Sequence, residues 1–143
     1  MARSRRPSDW TWVYDPAGAF RRSKKPVPAD IQHEVERRAQ ELIDSILKPR
    51  IPPPPKKARF NYLVDIYIKW RGPFFYFCSR YCSPGPRALS PFFESRFARL
   101  QYAADERFNL AYFRHTGQWW EVAQLLPLQE CLSRIEAGGL FTP

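Results

Sequence analysis

Residues 108–122 read F-N-L-A-Y-F-R-H-T-G-Q-W-W-E-V, two aromatic-rich runs on either side of a short polar turn. In the first run Phe108, Leu110 and Tyr112 recur at every second position, the period of a half-buried strand. The second run begins at Trp119, and an apolar helix pattern follows almost at once. Pro127 opens a segment in which Leu128, Cys131, Leu132 and Ile135 share one face, and Gly138-Gly139 ends it. An antiparallel hairpin docked by a C-terminal helix is the expected nucleus, and it places the chain in the α+β class.

The same period of two governs residues 59–70. Phe60, Tyr62, Val64, Ile66, Ile68 and Trp70 fall on one face, with Arg59, Asn61, Leu63, Asp65, Tyr67 and Lys69 on the other. Arg71-Gly72-Pro73 is a turn, and residues 74–81 read as the hairpin partner. Residues 82–91, with Pro-Gly-Pro and Ser-Pro, form a loop. Residues 95–102 make a weaker strand, Asp105-Glu106 a turn, and 108–114 and 119–123 the last two strands. Five consecutive strands predict an antiparallel meander packed on one face by the C-terminal helix.

Upstream, Ile31, Val35, Ala39, Leu42, Ile43, Ile46 and Leu47 recur at steps of three and four, which predicts a helix over 30–47 with Asp30 as its N-cap and Pro49 as its stop. The proline run Pro52-Pro53-Pro54-Pro55 makes 49–57 a linker, expected to hold helix and sheet apart as a semi-rigid spacer. Residues 30–143 are thus expected as one domain, preceded by a basic arm over 1–29. By composition that arm is expected to be flexible; the Trp10, Trp12, Tyr14 alternation within it keeps open the alternative that it orders on a partner, because purely solvating tails have few aromatics.

The net charge of +9 is unevenly distributed. Arg3, Arg5, Arg6, Arg21, Arg22, Lys24 and Lys25 face only Asp9 and Asp15 in the first 25 residues, and 48–59 adds Lys48, Arg50, Lys56, Lys57 and Arg59 with no acid. The helical stretch 30–47 is −3, whereas 69–99 is +5. A basic arm, a basic sheet region and an acidic helix together attract polyanions. Cys78, Cys82 and Cys131 are an odd count, and M-A-R-S-R-R runs into polar residues instead of the apolar core of a secretory signal, so a reducing cytoplasm is the expected compartment. No apolar run approaches a membrane span, and no membrane association is expected.

The order A-R-L-Q-Y, then F-N-L-A-Y-F-R-H-T-G-Q-W-W-E-V, then L-P-L-Q-E-C-L-S-R-I resembles a bacterial domain family of unknown function, number three thousand and twenty-four, over roughly the C-terminal two thirds. The resemblance implies a fold and carries no catalytic role. A looser likeness, in element order alone, is to single-stranded nucleic-acid binders of the Whirly and Pur-repeat type, whose unit is a four-stranded antiparallel sheet followed by a helix.

Basic and aromatic residues interleave over Tyr67, Lys69, Trp70, Arg71, Phe75, Tyr76, Arg80 and Tyr81. If one face of the sheet lies open, bases stack on rings while Lys and Arg meet phosphates. The expected nucleic-acid-binding residues are therefore Arg3, Arg5, Arg6, Arg21, Arg22, Lys24, Lys25, Lys56, Lys57, Tyr67, Lys69, Arg71 and Arg80, with DNA or RNA as partner. The rival reading is a protein-interaction or assembly module that docks Trp10, Trp12 and Tyr14 onto a protein partner or a second copy, leaving the charge incidental. Cys78, Cys82, His115 and Cys131 are ligand types for zinc, yet they lack the paired tight spacing of a zinc knuckle, so neither a metal nor a cofactor is expected. A Cys82–His115 dyad, or His115 with Glu121, is formally a nucleophile and base. No nucleophile elbow, phosphate-binding glycine loop or carboxylate cluster supports it, and the expectation is a non-enzymatic module.

Overall fold

The computed structural model describes residues 26–143. The Trp10, Trp12 and Tyr14 alternation and the basic groups Arg3, Arg5, Arg6, Arg21, Arg22, Lys24 and Lys25 lie outside the described residues. The chain opens with helix α1 (Ala29–Leu42). Five strands follow: β1 (Tyr62–Arg71), β2 (Phe74–Cys82), β3 (Phe92–Ala104), β4 (Arg107–Phe113) and β5 (Trp119–Pro127). Helix α2 (Leu128–Ala137) comes last. The strands form one sheet in the order β1-β2-β3-β4-β5, each antiparallel to its neighbour, the meander that the sequence predicts.

Both helices cover the same face of this sheet. Val35, Ala39, Leu42, Ile43 and Leu47 from the first helical segment and Leu128, Cys131, Leu132 and Ile135 from α2 share one buried cluster with Ile66, Phe75, Phe77, Leu100, Phe108 and Leu110. The proline run therefore does not hold helix and sheet apart. The connection is long enough to let the helix fold back, and two amphipathic surfaces that would each expose apolar area instead bury it against one another. Pro52, Pro53, Pro54, Pro55, Lys56 and Lys57 remain exposed on the outside.

The helix boundaries also differ from expectation. Pro28 occupies the N-cap position without a side-chain cap, and Asp30 sits in the first turn, where its carboxylate faces the positive end of the helix. At the other end the α-helix widens into a π turn at Ile43–Leu47 and tightens into a 3-10 turn at Lys48–Arg50. Pro49 falls in the first turn of that last segment, where a missing N–H needs no partner, so the chain turns extended only at Ile51.

Bulges break strict alternation. One between Leu63 and Asp65 moves Leu63 onto the core side with Ile66, Ile68 and Trp70, against the expectation that Leu63 faces outward. Phe60, expected on the apolar face, is 82% exposed because it precedes the strand. On β3 a bulge opposite Phe77 and Cys78 sends both Phe97 and Ala98 to the core. The β3–β4 reversal falls at Asp105 and Glu106, as predicted, both with positive φ (51° and 59°). Near the end of β5, Leu125 adopts φ 55°, and its backbone N–H donates to the buried Asn109 Oδ1 at 3.0 Å. The side chain thus supplies the acceptor that the irregular ladder withholds.

Candidate functional site

With both helices on one side, the other face of the sheet carries Tyr67, Lys69 and Arg71 from β1 and Phe74, Tyr76, Cys78 and Arg80 from β2. β3 adds Phe92, Glu94, Arg96 and Arg99, β4 adds Ala111 and Phe113, and β5 adds Trp119 and Glu121. The pairing sets these neighbours: Lys69 lies opposite Tyr76, Arg71 opposite Phe74, and Arg80 opposite Glu94. The bulge at Phe97 explains how Arg96 and Arg99, three positions apart, both project onto this face.

Rings and guanidinium groups interleave here. Arg80 lies over the Phe92 ring at 4.7 Å and Arg96 over Tyr76 at 4.6 Å. Arg99 sits 4.6 Å from the Phe74 ring centre and 5.0 Å from that of Trp119. The rings themselves form a continuous row, with centroid separations of 6.2 Å for Phe74–Tyr76, 5.6 Å for Tyr76–Trp119 and 5.1 Å for Phe113–Trp119. Tyr76 and Arg99 form the buried floor, while Phe92 and Phe113 are each about two fifths exposed. Burial lowers the affinity of the Arg99 guanidinium for its proton, and nearby Glu121 and Tyr76 oppose that shift.

At the β1 side of this face, three donors converge on one carboxylate. Lys69 Nζ donates to Glu94 Oε1 at 2.8 Å, the Tyr67 hydroxyl donates to the same oxygen, and Arg96 Nε approaches Oε2 at 3.5 Å. The hydrogen bonds from Lys69 and Tyr67 hold the Glu94 carboxyl below its ordinary value, and burial together with the Glu94 charge holds the Tyr67 hydroxyl well above its own. Arg80, by contrast, makes no ion pair among the described residues.

The structure sorts the sequence-derived candidates. Tyr67, Lys69, Arg71 and Arg80 share the open face, whereas Lys56 and Lys57 lie on the exposed linker. Of the interleaved aromatics, Phe75 and Trp70 go to the core and Tyr81 stacks on Phe93 on the helix side, at 5.4 Å and 10°. Pattern does not single out Phe92, Glu94, Arg96, Arg99 or Trp119. The expected start of β3 at residue 95 leaves out its first three residues, and the bulge scrambles the period beyond them; the signal available was the Arg-Phe-Ala-Arg run at 96–99.

His115 lies in the β4–β5 turn beside a crevice of about 420 Å³, lined also by Arg96, Arg114, Phe93 and Phe113; neither Cys82 nor Glu121 lines it. No group of three or more His, Cys, Asp or Glu comes together as a metal site among the described residues. All three cysteines are free thiols. Burial pushes the Cys131 thiol up to about 12 and the Cys78 thiol up to about 11. Since the thiolate is the reactive form, iodoacetamide applied to the native protein at pH 8 is expected to label the partly exposed Cys82. Cys78 and Cys131 are expected to react only after unfolding, as read by peptide mass spectrometry; rapid native labelling of Cys131 would show that its helix opens readily.

The elements and this one-sided sheet define a small α+β domain with a five-stranded antiparallel meander, two helices on one face and an aromatic, cationic surface on the other. The chain belongs to the family described as domain of unknown function DUF3024, which matches residues 27–143. No curated protein and no solved structure matches it. No helix among the described residues is long and apolar enough to cross a membrane.

Proposed function

We propose that this domain is a non-enzymatic module that binds single-stranded nucleic acid across the open face of its sheet. The observation that carries the reading is the interleaving of Arg80 with Phe92, Arg96 with Tyr76, and Arg99 with Phe74 and Trp119 on the face that neither described helix covers. Exposed rings offer sequence-tolerant stacking, and neighbouring cations meet the backbone. Lys69, Arg71 and Arg80 are the phosphate contacts, and Phe92, Phe113 and Trp119 the stacking groups. The face holds Lys69, Arg71, Arg80, Arg96 and Arg99 against Glu94 and Glu121, whereas the stretch 30–47 on the opposite side is −3, so the field favours approach of a polyanion from the open side. Lys56, Lys57 and the basic groups from Arg3 to Lys25 extend the electrostatic contact, and free thiols suit a reducing, cytoplasmic setting.

The test is retention of single-stranded DNA and of RNA across a salt series, with the full chain and with a K69A/R71A/R80A variant. Each phosphate contact to a single strand contributes about 0.7 to the slope of log affinity against log salt, so the triple variant is expected to flatten that slope by about 2. No retention of either polymer at low salt would overturn the reading. A change in oligomeric state on removing residues 1–25 would then point to protein assembly through Trp10, Trp12 and Tyr14.

A further inference from the structure

On the strength of that reading, we infer that Tyr67, Lys69 and Arg96 form a phosphate site which the protein's own Glu94 occupies in the unliganded state. Lys69 and Tyr67 reach across β2 from β1, with Nζ of Lys69 at 2.8 Å, and Arg96, two residues along β3 from Glu94, brings its Nε to 3.5 Å, all on the two oxygens of one carboxylate. A phosphodiester also presents two unbridged anionic oxygens, and charge-assisted N–H and O–H donors suit it as they suit a carboxylate. The site is open to solvent, with side-chain exposures of 43% for Lys69, 29% for Glu94 and 30% for Arg96, so a ligand can reach it without unfolding the strands.

The sheet also holds a second seat for the displaced carboxylate. Glu94 pairs across the strands with Arg80, yet its side chain bonds Tyr67 and Lys69 on β1. Arg80 rests on the Phe92 ring and makes no ion pair among the described residues. Rotation of Glu94 toward Arg80 would exchange its ion pairs with Lys69 and Arg96 for one with Arg80 while freeing the three donors for a phosphate. A ligand gains only the difference between the two arrangements, so Glu94 sets the affinity of the open face by competition.

Inorganic pyrophosphate is the probe, titrated by NMR on the Arg96 Nε–Hε and Lys69 side-chain signals of the full chain. E94A is expected to bind it at least tenfold more tightly than wild type, and E94A/K69A to lose that gain. In wild type, R80A is expected to weaken pyrophosphate binding by removing the second seat, and in the E94A background to change it much less. Thermal unfolding of each variant identifies any that fails to fold, and E94Q, which keeps the shape without the charge, stands in for E94A in that case. Unchanged pyrophosphate affinity in a folded E94A or E94Q overturns the inference, as does an equal effect of R80A in both backgrounds. An oligonucleotide arm separates the two proposals: wild-type retention of oligonucleotide without a pyrophosphate gain in E94A leaves the nucleic-acid reading standing alone. A pyrophosphate gain without oligonucleotide retention leaves an anion site on a face that binds no nucleic acid.

Discussion

Phe77→Ala is expected to lower the free energy of unfolding by about 3–5 kcal/mol, a large share of the 5–15 kcal/mol typical of a domain this size. The ring is fully buried at the centre of the sheet, opposite Ile68 on β1 and Ala98 on β3, and packs edge-on to Phe75 at 5.6 Å and against Phe97 at 6.1 Å. Truncation removes the transfer free energy of the ring and leaves a cavity whose walls are strands of a continuous ladder, poorly able to collapse. Urea denaturation monitored by tryptophan fluorescence measures the shift. Phe60→Ala is the control: that side chain is 82% exposed, and its loss is expected to change stability by no more than about 0.5 kcal/mol. Similar shifts for the two variants would mean that the core is not centred on Phe77.

Phe92→Ala is expected to weaken binding of a short single-stranded oligonucleotide by about 5- to 150-fold, the value of one stacked base at 1–3 kcal/mol. The ring is 41% exposed and touches the Arg80 guanidinium, so its removal takes little from the core and leaves the global fold unchanged. The change in affinity should depend only weakly on salt, because no phosphate contact is lost, in contrast to the slope change from K69A/R71A/R80A. An affinity unaltered by Phe92→Ala, with slope intact, would move base stacking away from this end of the sheet.

The element order was legible because it rests on periodicity. The two-residue period around Ile66, Ile68 and Trp70, the three-and-four steps through Val35, Ala39 and Leu42, and the glycines after Ile135 each report a local geometry that the whole fold then uses. The faces were less legible, since a single inserted residue inverts every side chain beyond it. The bulges at Leu63–Asp65 and at Phe97 are set by pairing with β2, which no local pattern encodes. For the same reason Lys69 and Tyr67 could be placed on one surface from sequence, but not their meeting with Glu94, 25 and 27 residues away. Nor does composition tell which aromatics enter the core and which turn to the other face: Phe75 and Tyr76 are adjacent, and the first enters the core while the second is buried beneath the cations of the other face.

Among the described residues, an acidic helix on one side and guanidinium groups on the other set up an electric moment across the sheet. Two copies meeting open face to open face repel, whereas the helix side of one attracts the open side of the next. Such a contact joins unlike surfaces and does not close on itself, and at low ionic strength the net charge of +9 opposes the approach of any two copies. Physiological salt, with a screening length of about 8 Å, suppresses this. The same asymmetry that presents the aromatic face to a polyanion thus makes ionic strength the variable that governs how concentrated solutions of this protein behave.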